Sequence, residues 1–230
     1  MPYILSIDTS TDICSVALFQ GTEQVAFRES AEGRSHAKIL LPFIEETLKD
    51  AGVRPDQLQA VAVSMGPGSY TGLRIGVSTA KGLCYSLDIP LIAVPTLQII
   101  AAGARPALPS PDTLLCPMLD ARRMEVFTAL YDQQLHEIQP FDAVIVEEGT
   151  FAETLGKGPV LFCGNGMEKC RELLSASSNS HFDSTPISAR NMGEIALQKF
   201  NNQQFEDVAY CEPQYGKEYV AAKPNVKGLH

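Results

Sequence analysis

The sequence predicts an α/β protein made of two similar halves, the second of them reduced. Two observations lead to this prediction. Short β-rich segments alternate with helical patterns along the first hundred residues, and a strand that ends at Asp8 has a later counterpart that ends at Asp120. The length of 230 residues is sufficient for two cores of this size.

The first half reads as a three-stranded meander followed by alternating helices and strands. Turn residues separate the first strands, and Gly52 is placed to end the first helix. Residues 60–64 are continuously apolar, which is typical of a buried parallel strand. In order, the predicted elements are strands 3–8, 14–19 and 23–30, a helix from Ser35 to about Ala51, strand 60–64, a helix to about Leu87, strand 91–95 and a short helix 96–103.

A proline-rich linker precedes the second half. A shift of 112 positions superimposes Asp8 on Asp120 and Ala17 on Ala129, which indicates an internal repeat. The stretch 175–190 has little periodicity and is expected to be mobile. The predicted elements are strands 114–120, 125–131 and 160–164, with helices near 166–175 and 191–201. The predicted divisions are residues 1–103, linker 104–113, residues 114–215 and a flexible tail 216–230.

A meander followed by alternating helices and strands, repeated once, is typical of two ribonuclease-H-like halves. Actin, Hsp70 and the sugar kinases share this duplicated (ASKHA) architecture, with nucleotide between the halves. Because one fold can host many activities, this analogy alone does not assign a function.

Composition excludes several classes of protein. The formal net charge is −9 and the 18 lysines and arginines do not cluster, so direct binding of nucleic acid is not expected. No apolar run reaches the roughly 20 residues of a membrane span. The first residues contain no basic leader, which favours a cytoplasmic protein whose six cysteines are free thiols. The four scattered histidines predict no metal site.

The segment SMGPGSYTGLRIG (64–76) allows two interpretations. A glycine loop between a strand and a helix can hold phosphate through backbone N–H groups. This loop lacks a P-loop lysine, however, and Pro67 removes a donor. The favoured interpretation is that Gly66 and Gly68 form the turn and that Ser69 or Thr71 caps the following helix.

Asp8 and Asp120 also allow two interpretations. At strand ends facing a cleft they could hold a metal ion or orient a water, but capping of their own turns is favoured. The candidate nucleotide cleft therefore comprises Asp8, Gly66, Gly68, Ser69 and Asp120.

Two helices suggest a surface that binds a partner. In the helix after the glycine loop, small residues recur every fourth position from Gly72. The helix 35–51 has a second apolar stripe at Ile39 and Phe43, which could pack within the domain or on another protein, while His36 is expected at the surface. The predicted interface comprises His36, Ile39, Leu40, Phe43, Thr47, Leu73, Gly76, Val77, Ala80 and Cys84.

Six segments together resemble the TsaB (YeaZ) family over about residues 3–215. They are ILSIDTST, CSVALF, HAKILLPFIEETL, SMGPGSYTGLRIGVSTAKGL, LDARRMEVFTALY and CEPQY. The resemblance implies a non-catalytic subunit of the bacterial machinery that places N6-threonylcarbamoyladenosine at position 37 of tRNA (t6A37). It also implies pairing with the paralogue TsaD and the ATPase TsaE, a homodimer when alone, no cofactor of its own, and ATP or ADP within the complex.

Two details qualify the resemblance. The segment that matches the start of the metal-binding region of TsaD contains only His36, so the metal site and its activity are expected to be absent. Family members usually continue the E-P-x-Y motif with Leu-Arg, whereas Tyr215 is followed here by Gly216 and Lys217. The alternative function is a small ATPase or kinase that uses Asp8, Asp120 and the glycine loop. A glycoprotease has almost no support, because the sequence shows no pair of nucleophile and base.

Overall fold

The computed structural model describes residues 1–32 and 36–216. The predicted helix cap Ser35 and the tail beyond Gly216 lie outside the described residues.

The first half is a five-stranded mixed sheet with helices on both faces. Its strand order is β3-β2-β1-β4-β5; β1, β2 and β3 pair antiparallel, whereas β4 pairs parallel with β1 and β5. The elements are β1 (Tyr3–Asp8), β2 (Cys14–Gln20), β3 (Glu23–Ser30), α1 (His36–Asp50), β4 (Ala60–Gly66), α2 (Tyr70–Leu87), β5 (Leu91–Pro95) and α3 (Thr96–Ala104).

The second half repeats this topology. Its strand order is β10-β9-β6-β7-β8. In the reverse direction, β8-β7-β6-β9-β10 corresponds strand by strand to β3-β2-β1-β4-β5 of the first sheet, and the antiparallel and parallel pairs correspond as well. Asp8 ends β1 and Asp120 ends β6, as the internal repeat predicts. The elements are β6 (Leu114–Asp120), β7 (Glu125–Tyr131), β8 (Glu137–Ile145), α4 (Ala152–Lys157), β9 (Val160–Cys163), α5 (Arg171–Leu174), β10 (Ser180–Asp183) and α6 (Gly193–Asn201).

The prediction of two ribonuclease-H-like halves is therefore confirmed. The second half is reduced in its helices: α4 and α5 have 6 and 4 residues, against 15 and 18 for α1 and α2. The sequence missed two strands of the second sheet. Both are edge strands, β8 is largely exposed, and β10 lies within the stretch 175–190 that was expected to lack structure.

The two sheets share one apolar core around α3. This helix packs against β4 and β5 of the first sheet and against β6, β7 and β9 of the second. Leu97 and Ile100 are buried in a cluster that includes Ile4 from the first sheet and Leu161 from the second. The opposite face of the first sheet is covered by α1 and α2. All six cysteines are free, as expected, and burial raises the pKa of Cys14, Cys84 and Cys116 to about 12.

The end of the described chain returns to the first half. Helix α6, placed in the second half from the sequence, packs beside β1 and β5. Residues 205–216, called here the C-terminal strap, then cross the edge of the first sheet, where the Gln214 N–H donates to Met65 O at 2.7 Å. The ring of Tyr215 lies 4.6 Å from that of Tyr70.

The strap ends against the second half. Gly216 has φ +75°, and a Cβ there would lie 2.8 Å from a ring carbon of Phe127 and 3.0 Å from one of Phe141. A leucine, which the family pattern would place here, would require these rings to move and would strain the left-handed backbone, which favours glycine.

Candidate functional site

The glycines of the loop and of the first half of α2 allow close approach of other parts of the chain. A Cβ on Gly66 would lie within 3.0 Å of Gln214 O, and one on Gly68 within 3.0 Å of Ser10 O. On α2, a Cβ on Gly72 or Gly76 would come equally close to Thr9. The Ser69 N–H donates to Ser10 O at 2.7 Å, and the Ser69 hydroxyl oxygen caps α2 by accepting from Gly72 N–H at 3.3 Å. The interpretation as a turn that starts a packed helix is confirmed.

Asp8 is fully buried and caps its own turn. Its Oδ1 accepts from the Ser10 N–H at 3.2 Å and from the Ser10 hydroxyl at 2.7 Å. Burial raises the pKa of the Asp8 carboxyl above its ordinary value, although hydrogen bonds from Ser64 and Ser10 oppose the shift. Burial therefore disfavours the charged form of this carboxyl, which is the form that binds a metal ion.

Asp120 caps the equivalent turn in the second half. Its Oδ1 accepts from the Arg122 N–H at 2.9 Å and forms an ion pair with Lys169. Partial burial raises its pKa, but the Lys169 hydrogen bond, the Arg122 N–H and nearby positive charge outweigh this effect and lower the pKa overall. Of the predicted cleft residues, the structure groups Asp8, Gly68 and Ser69 around Ser10, whereas Asp120 belongs to the second sheet.

His36 is not a surface residue, contrary to the sequence prediction. Its side chain is buried in the first turn of α1, and its Nε2 lies 3.3 Å from Ile13 O. The contact fixes the turn between β1 and β2, which carries residues 11–13. The structure therefore gives His36 a contact that supports this turn.

Most of the predicted partner interface belongs to the chain's own core. Helical spacing alone could not separate packing on the first sheet from packing on another protein, and the structure shows packing on the sheet. The predicted interface was wrong for the residues that are buried in the chain itself. These are His36, Leu40, Thr47, Leu73, Gly76, Val77, Ala80 and Cys84.

The second apolar stripe of α1 also packs within the domain. Ile39 and Phe43 are half-buried against the same core as Ala26 of β3. Arg28 of β3 holds this flank of α1 through ion pairs with Glu46, at 3.1 Å, and Asp50.

A different part of α1 and α2 is open to solvent. Leu41 is 55% exposed and Tyr85 is 85% exposed. Gly82 is also exposed, and a Cβ there would meet no atom within 4 Å, so the chain's own packing does not explain this glycine inside a helix. Leu41, Gly82 and Tyr85, with the half-buried Ile75 and Leu83, are called here the outer helix face.

A cavity of about 290 Å³ lies between the two halves. Its walls come from the β1–β2 turn, α3, the end of β6 and the loops that follow β9 and β10. None of the five residues of the predicted nucleotide cleft lines it. Sequence reasoning missed this cavity because its walls are joined only by the tertiary fold.

Two further observations concern only the described part of the chain. It contains no group of three or more histidines, cysteines, aspartates or glutamates that could hold a metal ion. Nor does any of its helices have the length and apolarity needed to cross a membrane.

The two equivalent sheets and the shared core define the class of protein, a two-lobed protein of the actin, Hsp70 and sugar kinase (ASKHA) fold. A family model described as "TsaD: tRNA N6-adenosine threonylcarbamoyltransferase" matches residues 29–210. The TsaB protein of Bacillus subtilis is 34% identical over 74% of each chain, and that of Escherichia coli is 32% identical over 96% of each chain. Both are named tRNA threonylcarbamoyladenosine biosynthesis proteins.

Solved structures agree with these relatives. YeaZ from Pseudomonas aeruginosa has a TM-score of 0.80 and 26% identity, covering 94% of this chain and 100% of its own. The chain therefore belongs to the TsaB (YeaZ) family of tRNA threonylcarbamoyladenosine biosynthesis proteins, and the resemblance predicted from its motifs is confirmed.

Proposed function

We propose that this chain is a non-catalytic subunit of the t6A37 machinery, which binds and activates a TsaD-type catalytic subunit. Membership of the TsaB family supports the pathway. The observation that carries the non-catalytic role is the closed glycine loop, where Gln214 O packs against Gly66 and Ser10 O packs against Gly68 and accepts the Ser69 N–H. Asp8 is fully buried, and its Oδ1 is engaged by the N–H and hydroxyl groups of Ser10.

The remaining assignments follow from this role. The chain forms a homodimer when alone, and a TsaE-like ATPase joins the complex. It has no cofactor of its own, and ATP or ADP binds only within the complex. Its net charge of −9 supports leaving tRNA to the catalytic subunit, in the cytoplasm.

The outer helix face is the surface that contacts the catalytic subunit. Exposed aromatic and aliphatic side chains, here Tyr85 and Leu41, are typical of interfaces that exclude water. Glycine inside a helix costs about 1 kcal/mol relative to alanine, and open space surrounds Gly82 on its own chain. A partner backbone lying against Gly82 accounts for that cost.

Gly82→Arg tests this surface. The added side chain projects into solvent in the lone chain, so folding is preserved, but it obstructs a partner at the outer helix face. We expect affinity for the TsaD-type subunit to fall at least about tenfold, or about 1.4 kcal/mol. The formation of t6A37 in a reconstituted reaction should fall in parallel.

Gly156→Arg is the matched control. Gly156 is an exposed glycine of α4 in the second half, and a Cβ added there would meet no atom within 4 Å. This variant should leave both binding and t6A37 formation unchanged. Normal pairing by Gly82→Arg would place the interface elsewhere, and ATP hydrolysis or tRNA modification by the lone chain would refute the non-catalytic role.

A further inference from the structure

The cavity between the halves has the composition of a small-molecule site. Its volume of about 290 Å³ is at the lower end of the range for ligand pockets, roughly 300–1,000 Å³. Ile100, Leu119 and Ile187 line it, and all three are almost fully buried. This apolar wall can accept the body of a compact ligand of one or two rings.

The walls are held in place before any ligand binds. The β1–β2 turn is fixed by the contact of His36 with Ile13 and by the Ile13 N–H, which donates to Thr11 Oγ1 at 3.3 Å. On the facing loop, the Thr185 N–H donates to Asp183 Oδ2 at 3.0 Å. A site that is already formed loses little conformational entropy when it binds.

The charge at the mouth selects against anions. Among the described residues that line the cavity there is no lysine or arginine. Two acidic residues line the cavity, and one of them, Glu168, forms an ion pair with Arg171 at 2.7 Å. The other, the exposed Asp12, has no ion-pair partner among the described residues. The nearby Lys169 is held by Asp120. Among the described residues of this lining, a polyphosphate would meet acidic side chains and no counter-charge.

We propose that this cavity binds a compact amine with an apolar body. The apolar part lies against Ile100 and Leu119, and the ammonium group meets the Asp12 carboxylate at the mouth. Hydroxyl groups of Ser184 and Thr185 in the same wall can accept hydrogen bonds from the ammonium group. This site is independent of the outer helix face and of the glycine loop.

Titration of the purified chain with three indoles of similar size tests the proposal. Tryptamine carries an ammonium group, indole-3-acetate a carboxylate, and indole neither. We expect tryptamine to bind saturably and about tenfold more tightly than indole-3-acetate, since attraction and repulsion at an exposed charge each contribute up to about 1 kcal/mol. Isothermal titration calorimetry measures the affinities.

Three variants separate the sources of affinity. Asp12→Asn should bring the tryptamine and indole-3-acetate affinities close together, whereas Asp112→Asn, which removes an exposed carboxylate outside the lining, should leave the tenfold ratio intact. Ile13→Trp, at the half-buried edge of the cavity, should abolish binding of all three compounds.

The outcomes that would overturn the proposal are equally definite. The first is the absence of saturable tryptamine binding up to about 10 mM, which would mean a binding free energy weaker than about 3 kcal/mol. The second is equal affinity for tryptamine and indole-3-acetate. The third is unchanged binding of tryptamine to a folded Ile13→Trp chain. None of these measurements depends on a TsaD-type subunit, so they can fail while the proposed function stands.

Discussion

The glycines of α2 can be tested against each other, because the structure predicts opposite effects of the same substitution. Alanine is more favourable than glycine inside a helix by about 1 kcal/mol. At Gly82 the new methyl group meets nothing within 4 Å, so Gly82→Ala should raise the free energy of unfolding by about 1 kcal/mol. At Gly76 it would lie closer than 3.0 Å to Thr9 Oγ1, where real Cβ atoms essentially never lie.

Relief of that overlap requires the Thr9 side chain to move. Its hydroxyl donates to Gly72 O at 2.8 Å in a buried site, and an unsatisfied buried group costs about 1–3 kcal/mol. Overpacking adds about 1–3 kcal/mol. After the helix-propensity gain is subtracted, Gly76→Ala should lower the free energy of unfolding by about 1–5 kcal/mol. Urea unfolding followed by circular dichroism measures both variants.

Thr9→Ala provides the decisive second step. With Oγ1 removed, the nearest remaining atom to the new methyl at position 76 is Thr9 Cβ at 3.5 Å, an ordinary contact. The double variant should therefore recover stability, with a coupling energy of about 1–3 kcal/mol. If Gly76→Ala is as stable as Gly82→Ala, or if Thr9→Ala gives no recovery, the close-approach argument is wrong.

Three further predictions concern single sites. Because burial raises the pKa of Asp8 above 3.8, the folded state holds this proton more tightly than the unfolded state, so stability should fall as pH rises from 3.8 through the raised pKa. Asp8→Asn should remove that slope in urea unfolding series at several pH values. Ser69→Ala should cost about 1 kcal/mol by removing the α2 cap, whereas Thr71→Ala should change stability by less than about 0.5 kcal/mol. Gly216→Leu should lower the thermal midpoint, because its backbone is left-handed and its space is filled by Phe127; an unchanged midpoint would contradict that packing.

Local patterns in the sequence predicted much of the fold. The bounds of β1, β5, β6 and β7 match the predicted segments because apolar runs there are interrupted by clear turn residues. Strand β8 gave no such signal, since it is an edge strand with many exposed side chains and a proline at position 140. Hydrogen bonding to neighbouring strands, rather than its own pattern, defines it.

The candidate site was predictable only where it is local. Ser69 caps α2 three residues from its partner, and Asp8 caps a turn two residues long, so both roles follow from short-range chemistry. The ridge that begins at Gly72 has the same spacing whether it meets another protein or Thr9 of its own chain. Sequence spacing could not choose between these, and the buried side was therefore assigned to a partner.

The closed glycine loop also constrains where any ligand of the lone chain can bind. To reach the N–H groups of the loop, a phosphate would have to displace Ser10 O from Ser69 N–H and Gln214 N–H from Met65 O. The displaced strap would also lose the tilted ring contact between Tyr215 and Tyr70. A compact ligand that enters the cavity between the halves breaks none of these contacts. Ligand binding that left the strap in place would therefore exclude the glycine loop as the occupied site.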